Sequence, residues 1–180
     1  MSNWSSGLIN ILKDPSKHII ASNLAVVIKD KYPKAKHHYL VLPLSDIDTI
    51  FHLTIDHLDL VEELYLLAIN IIELKREDLN NFQIGFHNQP SMQRVHMHVI
   101  SKDFISDCLK TKKHWNSFNT KLFLPYEELC QQLKICGRVK PLTKIELEKL
   151  TKQELQCNQC SFKPKTMPSL KEHLYDHCKK

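Results

Sequence analysis

Glycine is nearly absent, with three residues among 180. That excludes both common glycine-rich phosphate loops, which need several glycines at close spacing so that backbone N–H groups can surround an anion. Long apolar runs are missing too. The longest, near Leu64 to Ile72, is broken by Asn70 and is far too short to cross a bilayer. The first residues, Met-Ser-Asn-Trp-Ser-Ser, lack the basic start and apolar stretch of a signal peptide. No membrane partner is expected, and an intracellular location is. In a reducing compartment the six cysteines (Cys108, Cys130, Cys136, Cys157, Cys160 and Cys178) are read as metal ligands or buried thiols before disulfides.

What is present fits one globular domain with a small appendage: 42% apolar residues, 25% charged, and enough length for a sizeable core. The net charge of +5 is unevenly spread. Residues 1–101 carry 9 Lys and Arg against 11 Asp and Glu, whereas residues 102–180 carry 16 against 9. The first part is thus −2 and the second +7, which points to a polyanionic partner for the C-terminal part.

Apolar spacing predicts a short helix from Trp4 to Leu12 and strands at Leu24–Ile28 and Tyr39–Pro43. A long amphipathic helix is expected from Ile55 to Lys75 with Asp56 as its N-cap. Phe82–His87 and Arg94–Ile100 read as an antiparallel pair joined by a functional loop. Thr143 to Glu146 fits a capping box, and Pro141 to Thr151 is the expected hinge.

Near the C-terminus, Cys157 and Cys160 are followed after twelve residues by His173 and, one helical turn on, His177. Two thiolates on a tight turn and two imidazoles on a helix make a tetrahedral zinc site. So short a unit needs the metal for stability, with Phe162 and Leu170 as its small core. Lys163, Lys165, Lys171, Lys179 and Lys180 against Glu172 and Asp176 favour a phosphate backbone as its partner.

The central feature is Arg94-Val95-His96-Met97-His98-Val99-Ile100. On a strand, Val95, Met97 and Val99 face the core, while Arg94, His96 and His98 share the opposite face at about 7 Å spacing. This row has three readings: a solvated polar face, a metal site completed by His87, or nucleophilic chemistry on phosphate. Pro90-Ser91-Met92, just upstream, favours the third, since a hydroxyl and backbone N–H groups there can hold an anion without glycine.

The run from His87 to Phe104 resembles the signature of the histidine triad superfamily and, within it, the aprataxin family. Lys29 to Ala35, His38 to Pro43, Lys112 to Thr120 and the zinc spacing are similar to segments of that family, so the resemblance covers nearly the whole chain. One departure stands out: Arg94 occupies the place of the first triad histidine. Some members also carry an N-terminal forkhead-associated domain that recruits repair partners. None is present in this chain, so that recruitment is not part of the expectation.

The resemblance implies an α+β fold: a histidine triad antiparallel sheet with flanking helices, plus a two-Cys two-His finger. It divides the chain into a catalytic domain over 1–140 (core 1–105, extension 106–140), a linker helix over 141–155 and a finger over 156–180. The implied activity is removal of AMP from 5′-adenylated DNA in nuclear strand-break repair. His96 is the implied nucleophile, with His98 and His87 as its catalytic partners. Asp30, Lys34, His38, Ser91, Met92 and Arg94 would hold AMP and phosphate. Ile28 and Leu24 would wall the adenine unless they are plain core. Leu44, Ser45, Asp46, Ile47, Asp48, Ile105, Ser106 and Lys113 would face DNA, while Trp115 reads as a core anchor. Cys157, Cys160, His173 and His177 would hold one structural zinc ion. Nicked or broken adenylated DNA and RNA–DNA junctions are the expected partners, with AMP as product. A general nucleotide phosphoramidase or dinucleotide hydrolase, and a zinc-dependent nucleic-acid binding module, are the alternatives.

Overall fold

The computed structural model describes residues 7–179. The chain opens with α1 (Gly7–Leu12), β1 (Ile20–Ala21), β2 (Ala25–Lys29) and β3 (His38–Pro43). It continues through α2 (Leu58–Leu74), β4 (Phe82–His87), β5 (Met97–Ser101), α3 (Lys112–Asn119), β6 (Phe123–Pro125) and α4 (Tyr126–Cys136). α5 (Lys144–Lys152) and α6 (Met167–His177) complete it. All six strands form one antiparallel sheet in the order β1-β2-β3-β5-β4-β6.

Strand alternation gives the sheet two different faces. Ala25, Val27, Tyr39, Val41, Phe82, Ile84, Met97 and Val99 pack with Val61, Leu64, Ala68 and Ile71 of α2 in the main core. The other face is apolar at one end, where Val26, Ile28, Leu40 and Leu42 are covered by Leu8, Ile11 and Leu12 of α1 and by Met92. Ile28 pairs with Leu40, Leu40 with His98, and His98 with Gly85, so one row runs from this apolar end into the histidines. Glycine is required at position 85. A Cβ there would lie 2.3 Å from the Leu124 carbonyl oxygen and 2.9 Å from the Phe123 ring, so a side chain would push β6 off the sheet.

Several local expectations are corrected. Helix α1 is described from Gly7; Trp4 to Ser6 lie outside the described residues, as does Lys180. Asp56 is not the N-cap of α2, because a 3-10 turn at Ile55–His57 precedes it and Thr54 forms a capping box with His57. Strand β5 starts at Met97, three residues later than the pattern predicts. Tyr65 of α2 stacks on Tyr126 at 4.0 Å between ring centroids.

The C-terminal elements share a core with the preceding segment. Leu155, Cys157, Leu170 and Leu174 pack with Phe104, Leu109, Trp115 and Phe118. Trp115 donates its indole N–H to the Gln156 carbonyl at 3.1 Å, and the Asn116 amide donates to the Thr151 and Gln153 carbonyls. Helix α3 is thus the mount for α5 and the finger, and Trp115 is a core residue, as its sequence reading has it. Phe162 is not part of this core: it is 41% exposed and its ring lies on His173.

Candidate active site and metal centre

Four histidines converge on the α1 face of the sheet: His38 from β3, His87 from the end of β4, His98 from β5 and His96 just before it. Their polar contacts assign the tautomers. The Lys34 backbone N–H donates to His38 Nδ1 at 3.1 Å, so the His38 proton resides on Nε2 and is donated to His98 Nδ1 at 2.9 Å. His98 therefore carries its own proton on Nε2, a buried atom with no partner. The Nε2 atom of His87 is likewise buried and unpartnered. His96 Nδ1–H donates to the Arg94 carbonyl at 2.8 Å, which leaves the lone pair on His96 Nε2. One free lone pair beside unpartnered buried imidazole nitrogens is an arrangement suited to attack on an anion.

Asp30, His38 and His98 place three possible metal-ligand atoms within 4.8 Å of one another. The hydrogen bonds argue for a relay instead. With His38 Nδ1 occupied by a backbone donor, Nε2 has a proton and no lone pair for an ion. The Asp30 carboxylate lies 3.7 Å from that nitrogen and also accepts the Tyr32 N–H.

Burial dominates the protonation of the group. It lowers the His38 pKa to about 4 and that of His87 to about 3, and it lowers His96 and, further, His98. The cluster is neutral at pH 7, the state a nucleophilic imidazole requires. The unfolded chain, with histidines near 6.5, binds the extra protons between that value and the lower folded ones. Stability is therefore expected to be full above about pH 7 and to fall below pH 6.5 by about 1.4 kcal/mol per pH unit for each buried histidine. Chemical denaturation at stepped pH values checks this; a stability that is flat from pH 7 to 5 would contradict it.

Arg94 is not on the histidine face. Its backbone has φ of 84°, and the side chain turns to the loop after β3. There it pairs with Asp46 and donates to the carbonyls of Ser45, at 2.9 Å, and Leu44, at 3.3 Å. The expected phosphate role is corrected to that of a loop anchor, because the strand alternation that would have aimed Arg94 at the pocket does not reach it. Arg94→Ala is expected to cost about 2 kcal/mol, because it removes a buried side chain's packing and its charge-assisted hydrogen bonds to two carbonyls. Asp46→Asn is expected to cost about 0.5 kcal/mol, since its carboxylate is largely exposed. Thermal unfolding of both variants checks the order.

The cation beside the histidines is Lys34, whose charge reaches His38, His87 and His98 and whose own pKa is lowered by burial. Its ammonium bonds the Tyr32 carbonyl. Ser91 is exposed in the loop between β4 and β5, and Met92 joins the apolar wall with Ile28. Leu24 does not join that wall; it is half exposed at the edge beside Leu44.

Among residues expected to face DNA, Leu44, Ser45, Asp46, Asp48 and Lys113 are exposed. Ile47 is instead buried in the main core, and its carbonyl accepts the Val95 N–H, so its side chain is unavailable. Ile105 and Ser106 are half-buried, and the Ser106 hydroxyl donates to the Pro33 carbonyl at 2.5 Å. Asp103, which sequence reasoning missed, accepts from the Lys36 and Ile105 N–H groups and staples the same two segments. Phe118 was also missed as a site residue. Its only local signal is its spacing of three from Trp115 on the buried face of α3.

At the finger, Cys160 Sγ lies 3.2 Å from His173 Nε2, Cys157 Sγ 3.5 Å from His177 Nε2, and the two imidazole nitrogens 3.0 Å apart. Two sulfurs and two nitrogens at these separations suit a tetrahedral zinc ion. Cys178 does not belong to the set of four.

Sheet order, the histidine cluster and the appended finger define a histidine triad fold with a zinc-finger extension. A family profile described as "Scavenger mRNA decapping enzyme C-term binding" matches residues 3–114, and one described as "C2HE / C2H2 / C2HC zinc-binding finger" matches residues 119–180. The chain is 56% identical over 174 residues to an aprataxin-like protein of Drosophila melanogaster, covering 97% of this chain and 26% of that one. It is 41% identical to aprataxin of Gallus gallus, covering 98% and 56%, and 32% identical to an aprataxin-like protein of Saccharomyces cerevisiae, covering 82% and 81%. It thus spans about a quarter of the Drosophila relative and just over half of the Gallus one. The crystal structure of the aprataxin ortholog Hnt3 in complex with DNA has the same fold, with a TM-score of 0.80 at 23% identity over 96% of this chain and 94% of that one. The chain belongs to the aprataxin family.

Proposed function

We propose that the chain removes AMP from the 5′ ends of adenylated DNA through a covalent AMP–histidine intermediate, in nuclear strand-break repair. The observation that carries the reading is the His96 hydrogen bond to the Arg94 carbonyl, which fixes the nucleophilic lone pair on Nε2. His96 Nε2 attacks the AMP phosphorus in line. The N–P bond forms as the P–O bond to the DNA 5′-phosphate breaks, and that phosphate departs with the electron pair. Water then cleaves the phosphoramidate, releasing AMP and restoring His96.

The other side chains follow from their placement. His98 and His87 offer their buried nitrogens to the non-bridging oxygens, and Lys34 neutralises charge that builds up there. The Asp30 carboxylate at the end of β2 takes the ribose hydroxyls, and Ile28 and Met92 take the adenine. A relative, Hnt3, has been solved with DNA, which supports a nucleic-acid substrate for this chain too. The exposed loop at 44–46, Lys113 and the finger form the surface for nicked DNA or an RNA–DNA junction. One zinc ion in the finger is structural: its four ligands order the loop of Cys157–Cys160 and the start of the DNA-facing tail.

The test is AMP release by the chain from a 5′-adenylated nicked duplex, run beside a free dinucleotide. Faster release from the nick is expected. Equal rates would favour a general nucleotide hydrolase, and binding of the nick without any release would favour a nucleic-acid binding module.

A further inference from the structure

Three of the four histidine rings meet one aromatic side chain from outside the sheet. Phe118 of α3 is buried, and its ring lies in edge contact with His87 at 4.5 Å, His98 at 5.3 Å and His38 at 5.5 Å between centroids. Interplanar angles of 61°, 90° and 86° are the edge-to-face geometry that aromatic rings prefer. Behind it, Phe104 and Phe123 stand at 6.0 and 5.9 Å and close off the site. Its backbone is tied to the sheet as well, since its carbonyl accepts the Gln83 side-chain amide at 3.0 Å.

The histidines differ in how else they are held. His96 is fixed by the Arg94 carbonyl, and His38 is bonded at both nitrogens. His98 is bonded at one nitrogen only. The His87 imidazole makes no hydrogen bond among the described residues, so ring contacts alone set its orientation. We infer that Phe118 is a positioning residue: its ring holds His87 and the His38–His98 pair in the orientations that present their unpartnered nitrogens to a bound phosphate. It acts through the imidazoles and touches no reacting atom. The assignment rests on the reading proposed above for what those imidazoles do.

Its consequences separate it from ordinary packing. Phe118→Leu keeps the apolar volume and removes the ring faces. It is expected to lower kcat for AMP release by about tenfold to a hundredfold, the scale of a misaligned catalytic group, with KM changed by less than about threefold. Phe118→Tyr keeps the ring and is expected to restore kcat to within about threefold. The direct readout is imidazole C–H order from carbon relaxation in the substrate-free protein. His87 and His98 are expected to become mobile in Phe118→Leu, while His96 stays rigid on its carbonyl.

Trp115→Phe perturbs the same aromatic cluster without reaching the histidines, and is expected to lower thermal stability with the imidazole order unchanged. Unchanged His87 and His98 order in Phe118→Leu would overturn the inference, as would equal loss of order in both variants. Should Phe118→Leu not fold, the wild-type protein alone decides: a His87 ring less ordered than His96 overturns it. Because these spectra need no substrate, failure of the wild type to release AMP would count against the proposed reaction and leave the positioning role standing.

Discussion

His96→Ala is expected to abolish AMP release from a 5′-adenylated nick, with kcat at least about 10⁴-fold below wild type. The size follows from the kind of step removed. An imidazole that forms the bond to phosphorus has no ready substitute in the pocket: His98 Nδ1 is tied to His38 and its Nε2 carries the proton, and the His87 imidazole lacks the backbone acceptor that fixes the His96 lone pair. By contrast, His98→Ala takes away one donor to the developing charge, and a loss of about 10²-fold is expected. Adenylated-nick binding should persist in His96→Ala, since the apolar wall and Lys34 are untouched. Single-turnover assays with both variants check the ratio. Equal, modest losses would mean that no single imidazole is the nucleophile. The nucleophile's lowered pKa carries a further signature, because wild-type activity should not fall through a step near pH 6.5.

Zinc removal has the second large expected effect, and the shared core decides its form. A finger on a free hinge would lose nick binding on chelation while small-nucleotide turnover persisted. The structure places Leu155, Cys157, Leu170 and Leu174 in one cluster with Phe104, Trp115 and Phe118. Structural zinc sites of this kind supply most of the folding energy of their own unit. Loss of the ion should therefore also unpack the outer side of α3. Chelation, or Cys157→Ser, is expected to destabilise the chain by about 5 kcal/mol and to lower the melting temperature by about 10–20 °C. Small-nucleotide turnover should fall together with nick binding. Calorimetry with and without chelator measures the first, and dinucleotide hydrolysis the second. A melting temperature that shifts by less than about 3 °C would show that the finger and α3 unfold independently.

Features set by local chemistry were the legible ones. The Cys-Cys-His-His spacing names its own ligands, and the capping box at Thr143 and Glu146 forms as expected. Strand alternation correctly separates Met97 and Val99 from His98. It fails at Arg94, where the loop from Pro90 enters with a positive φ and delays the strand until Met97. Nothing in a period-two pattern signals such a backbone, and a guanidinium reads the same whether it faces phosphate or a carbonyl-lined loop. Ile47 misled in the opposite way, since a lone apolar residue in a polar loop anchors that loop to the core. Phe118 and Asp103 were illegible because their partners lie far along the chain: Phe118 meets histidines 20 to 80 residues away, and Asp103 holds Lys36. Such contacts exist only once the sheet has brought β3, β4 and β5 together.

Whether AMP passes through a covalent bond to His96 is decided by the stereochemical course at phosphorus. An adenylated nick made chiral at the AMP phosphorus with oxygen isotopes and sulfur, hydrolysed in labelled water, reports the configuration of the released product. Two in-line displacements, the first by His96 Nε2 and the second by water, give overall retention. Inversion would mean a single direct attack by water, with no adduct on His96.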